Sequence, residues 1–89
     1  MIEKQISVNL PRGLQAQGAT EFVKKASTFN SEVNIIKEDK MVTGKSIMGV
    51  MCLAVRKVDE LVLIADGNDE HEAVTTLEDF LSSKPLLKE

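Results

Sequence analysis

From residue 2 to residue 10 the chain alternates, with Ile6, Val8 and Leu10 set against Gln5, Ser7 and Asn9, the period of a half-buried strand. Pro11, Arg12 and Gly13 end it. Ala19, Phe22, Val23, Ala26 and Phe29 then recur at helical spacing, which predicts an amphipathic helix over 16–29 with Lys24 and Lys25 on its wet side and Asn30 and Ser31 marking its end. Two short apolar runs, 33–36 and 41–42, are separated by Lys37 to Lys40 and read as a hairpin with Asp39 in its turn. In "KSIMGVMCLAV", 45–55, Ile47, Val50, Met51 and Ala54 share one helical face while Met48, Cys52 and Val55 form a second apolar stripe. So short a helix, apolar over more than half its circumference, leaves part of that surface exposed. "ELVLIADG", 60–67, lacks polar alternation and reads as an interior strand covered on at least one side. Asn68 or Asp69 can cap a last helix with Ala73, Val74, Leu77, Phe80 and Leu81 on its inner face, stopped by Pro85.

The order is therefore strand, helix, strand, strand, short helix, strand, helix. Each long helix offers one apolar stripe, so the economical packing is one four-stranded sheet with helices on one face. At 89 residues, with no linker or repeat, the chain reads as a single domain, 1–89.

Composition removes several functions. Eleven basic and 14 acidic residues give a net charge of −3, and no basic run exceeds Lys24-Lys25, which argues against direct nucleic-acid binding because phosphate neutralisation needs a clustered basic face. Cys52 is alone, so neither an internal disulfide nor a multi-cysteine metal site is expected, and as a small hydrophobe on a helix it is expected to be buried. No signal peptide or membrane span is visible, so the expected location is cytoplasmic. Hydrophobic residues at 43% and charged residues at 28% are the balance of a folded soluble domain.

Candidate chemistry is sparse. His71, between Glu70 and Glu72, suits the solvated first turn of the last helix, and Asp66, Asp69, Glu70 and Glu72 read as capping and solubilising acids. No metal, cofactor or catalytic residue is expected. Ser46, directly before the apolar helix, is an N-cap candidate. It also stands where a phosphate would meet free backbone N–H groups, beside the apolar residues Ile47, Met48 and Met51.

"GKSIMGVM", 44–51, resembles the regulatory-serine segment of HPr-type proteins, the small phosphocarriers of the bacterial sugar phosphotransferase system. "GLQAQGA", 13–19, resembles that family's "GLHARPA", and "ADGNDEHEA", 65–73, resembles its joint between last strand and last helix. The resemblance covers essentially the whole chain and implies an α+β open-faced sandwich, a four-stranded antiparallel sheet covered on one face by helices.

Three departures fall in the family's phosphotransfer site. Gln15 stands where the family has its phosphohistidine, Gln17 where it has arginine and Gly18 where it has proline. An amide nitrogen, its lone pair delocalised into the carbonyl, cannot take up and release a phosphoryl group. Losing the arginine removes a charged phosphate donor, and Gly18 is expected to stiffen nothing. The chain is thus not expected to be an enzyme or a working histidine phosphocarrier.

Gln15 resembles the residue of the catabolite-repression branch, Crh, which keeps the serine without the histidine. That likeness implies phosphorylation of Ser46 by HPr kinase/phosphorylase, followed by binding as corepressor to a LacI-type catabolite control repressor. Lys45, Ile47, Met48 and Met51 would be the partner-binding surface, with Gln15 and Gln17 beside it, although a neutral Gln17 cannot form the bidentate carboxylate pair of an arginine. The alternative is a degenerate HPr-fold interaction domain in which Ser46 is only a cap. The exposed apolar residues suit a homodimer as readily as a different partner.

Overall fold

A computed structural model describes residues 1–10, 13–14, 17–56 and 59–82. Its elements run β1 (Ile2–Ser7), α1 (Gln17–Ser27), β2 (Glu32–Lys37), β3 (Lys40–Thr43), α2 (Ile47–Cys52), β4 (Glu60–Asp66) and α3 (Glu70–Leu81). The four strands form one antiparallel sheet in the order β1-β4-β2-β3, so β4 is interior, as its apolar run implies. Ile6, Val33, Ile35, Leu61, Leu63 and Ala65 point to one face and are buried. They meet the inner stripes of α1 (Ala19, Phe22, Val23, Ala26) and α3 (Ala73, Val74, Leu77, Leu81), and the other face of the sheet is left open. This is the open-faced sandwich.

Several boundaries differ from the periodic reading, each for a local reason. β1 stops at Ser7 because the Asn9 N–H turns away to the Leu81 carbonyl, 2.8 Å, satisfying an open carbonyl at the end of α3. α1 stops at Ser27 because the Thr28 and Phe29 amides bond back three residues, to Lys25 and Ala26, and the Thr28 hydroxyl donates to the Lys25 carbonyl. Lys25 is half-buried rather than wet, its ammonium lying 5.6 Å from the centre of the Phe80 ring. In the β2–β3 hairpin only Glu38 and Asp39 lie outside the strands, and Glu38 has the left-handed φ of 50°. The expected turn at Pro11 and Arg12 and the expected stop at Pro85 lie outside the described residues.

The largest correction concerns α2. Of the face Ile47, Val50, Met51 and Ala54, only Val50 is buried. The helix ends at Cys52 and Ala54 takes a left-handed φ of 53°, which breaks the helical period and sends Leu53 and Val55 into the core instead. Cys52 is exposed rather than buried.

Candidate functional site

The exit of α2 is held by a side chain that no sequence motif singles out. Lys37, at the end of β2, donates through Nζ to the carbonyls of Leu53 (3.3 Å) and Ala54 (3.0 Å) and lies 3.0 Å from Oδ2 of Asp59. A cation on the last carbonyls of a helix is a favourable end for its dipole. The Arg56 backbone N–H, 2.8 Å from Asp59, holds that carboxyl below its ordinary pKa, with Lys37 the second cause. One residue before Arg56, the Val55 carbonyl accepts from the Leu14 N–H at 2.9 Å. The entrance to α1 is therefore pinned against the exit of α2.

This contact decides two glycines. Gly13 has φ of 62°, and a Cβ there would stand 2.2 Å from the Val55 carbonyl oxygen. Gly18, half-buried in the first turn of α1, would place a Cβ 2.5 Å from the Gly13 carbonyl oxygen. Gly18 is thus a requirement of close backbone approach, which corrects the expectation that it merely stiffens nothing. Gln17 opens α1 and is exposed. Gln15 lies outside the described residues.

Ser46 occupies the opposite end of α2, with six helical residues between it and the exit, about 9 Å along the axis. Its backbone is extended, its hydroxyl oxygen accepts the Gly49 N–H at 3.2 Å, and its carbonyl accepts the Val50 N–H at 3.0 Å. It is an N-cap, and it is half-exposed. The Lys45 amide donates to the Thr43 hydroxyl at 3.2 Å, and its ammonium reaches the Phe29 carbonyl at 2.8 Å. Around Ser46 the apolar side chains face water: Ile47 is 41% exposed, Met48 77% and Met51 44%. The structure brings Lys45, Ser46, Ile47, Met48 and Met51 together on one surface, and sets Gln17 at the start of another helix.

The other candidates are used structurally. Asp69 opens α3, but its carboxylate does not cap that helix. It accepts the Asn30 N–H at 2.8 Å, the Ser31 N–H at 2.9 Å and the hydroxyl of buried Ser31. The Ser31 hydroxyl first, then the Asn30 N–H, draw its pKa below the ordinary value. Glu70 accepts the Gly67 N–H at 3.0 Å and pairs with the N-terminal ammonium at 3.0 Å, and both partners lower its pKa in that order. His71 is exposed in the first turn of α3. Among the described residues no group of three or more His, Cys, Asp or Glu could hold a metal ion, and no helix is long and apolar enough to cross a membrane.

A half-exposed cap serine beside an apolar helix, on a β-α-β-β-α-β-α sandwich, defines the class. The family described as the PTS HPr component phosphorylation site matches residues 2–83, and the chain belongs to it. It is 46% identical over 84 residues to the HPr-like protein Crh of Halalkalibacterium halodurans, covering 94% of this chain and 100% of the relative. A crystal structure of the phosphocarrier protein HPr from Bacillus anthracis superposes with a TM-score of 0.90 at 36% identity, covering 91% of this chain and 96% of that one. A structure of Crh from Bacillus subtilis, described as a dimer with a swapped domain, superposes with a TM-score of 0.76 at 42% identity and covers 98% and 100% of the two chains. These relatives carry the names of HPr-like and phosphocarrier proteins rather than of enzymes.

Proposed function

We propose that the chain acts in the cytoplasm, as one HPr-like domain, in carbon catabolite control: Ser46 is phosphorylated by an HPr kinase/phosphorylase, and the modified protein binds a LacI-type repressor as corepressor. The observation that carries this reading is the exposure of Ile47, Met48 and Met51 around a half-exposed Ser46, because a purely structural cap has no need of an apolar surface in water. In the transfer, the Ser46 hydroxyl oxygen attacks the γ-phosphorus of ATP, the bond to the bridging oxygen breaks, ADP leaves and the hydroxyl proton passes to a base of the kinase. The new dianion meets the free N–H groups of the first turn of α2. Lys45 can turn to it by giving up the Phe29 carbonyl. With Gln15 in the phosphohistidine position and Gln17 beside it, the histidine-carrier activity of the family is absent. Self-association belongs to the same reading, since a relative is described as a dimer.

One observation favours a second reading. The Ser46 hydroxyl already accepts the Gly49 N–H, which suffices for a degenerate interaction domain whose serine is never modified. Intact-mass measurement after incubation with ATP and a purified HPr kinase separates the two. One added phosphate that is absent from Ser46→Ala supports the regulatory reading. An unmodified chain, under conditions that modify an ordinary HPr, leaves the capping role alone.

A further inference from the structure

The cross-strand register places an apolar row on the open face of the sheet. Ile36 lies opposite both Val62 and Met41, with Ile64 next along β4 on the same side. Val62, Ile64 and Ile36 are half-exposed and Met41 is 61% exposed. Every charged strand residue on this side is acidic: Glu3, Glu32, Glu60 and Asp66. Among the described strand residues no lysine or arginine joins them, because the register turns Lys4, Lys37 and Lys40 to the helix side, although the N-terminal ammonium lies 3.7 Å from Asp66.

The α2 side is the reverse. From Lys40 to Arg56 the sequence holds three cations, Lys40, Lys45 and Arg56, and no acid; Arg56 is paired with Asp59 at 3.9 Å, which leaves Lys40 and Lys45 as the cations beside the α2 surface. α2 lies over β3, where a Cβ at Gly49 would stand 3.5 Å from the Val42 Cβ, which puts Lys40 at the rim of the surface formed by Ile47, Met48 and Met51.

We propose that the α2 surface of one copy docks on the open sheet face of a second copy. Pairing either face with itself sets like charges against each other, Lys40 and Lys45 in one case and Glu3, Glu32 and Glu60 in the other, whereas pairing one with the other sets cations against acids around two apolar centres. The contact is heterologous, so each dimer keeps one free face of each kind and association extends beyond two copies unless a ring closes. It needs neither modification of Ser46 nor exchange of a strand.

Sedimentation of the full chain at rising concentration tests this. The weight-average mass rises with concentration at about 0.01 M salt and association weakens at about 1 M, where charges are screened within about 3 Å. Met41→Lys, on the sheet face, and Met48→Glu, on the α2 face, each weaken association about tenfold by setting like charges against the partner face. Mixing the two variants restores association as far as a one-to-one pair and no further, since one supplies an intact α2 surface, the other an intact sheet face, and the two faces left free are the altered ones. Glu32→Lys with Lys40→Glu repeats the test should circular dichroism show either methionine variant unfolded. A monomer at every concentration, association indifferent to salt, or a mixture no better than its components overturns the proposal.

Discussion

The starts of α2 and α3 are both marked by a good capping residue, yet the two side chains do opposite things. Ser46 turns its oxygen onto its own helix and keeps its surroundings open, whereas Asp69 turns its carboxylate away from α3 and binds the backbone and hydroxyl of a distant turn at Asn30 and Ser31. The chemistry of the cap explains neither choice. What separates them is the next layer: α2 buries only Val50, so its first turn faces water, while α3 buries four residues and its start is drawn against the α1–β2 turn. A capping residue with exposed apolar neighbours is free to carry a signal, and one with a buried polar partner is committed to the fold.

The comparison breaks most sharply at Asp69. Asp69→Ala leaves two backbone N–H groups and the hydroxyl of buried Ser31 without their acceptor, and urea denaturation should show the largest loss of midpoint among single cap substitutions. A loss no greater than that of Ser46→Ala would remove the distinction. Ser46→Ala loses one capping bond and should cost about 1 kcal/mol, read from the same urea curves with unchanged slope. The smallest effect is in pH. The Asp69 carboxyl is stabilised in its charged form, so its contribution is complete above the ordinary aspartate value of about 3.9 and is lost as pH falls through its lower folded value. The stability gap between the native chain and Asp69→Ala should therefore narrow below about pH 3.9, and a gap independent of pH would contradict the assignment.

The order of elements was legible because strands of period two and helices of period 3.6 are local patterns, and Ile6, Phe22, Leu63 and Leu77 obey them. Ser46 and its apolar neighbours were legible for the same reason, as consecutive residues. Cys52 and Ala54 were misread because a left-handed residue interrupts the period that the reading extended. Lys37 was invisible, since its carbonyl partners at Leu53 and Ala54 and its carboxylate at Asp59 come from 16 or more positions away. The acidity of the open sheet face was hidden too, because Glu3, Glu32, Glu60 and Asp66 are scattered along the sequence and only the register gathers them.

The strand order carries a consequence for how the chain is made. Among the described strands β1 is an edge strand whose one neighbour is β4, and β4 ends at Asp66. On a ribosome adding about 5–20 residues per second, β1 waits about 3–12 s after its own synthesis before its partner has been made. For that interval the pairing partner of β1 does not yet exist, and the ladder bonds of the strand wait on the synthesis of β4.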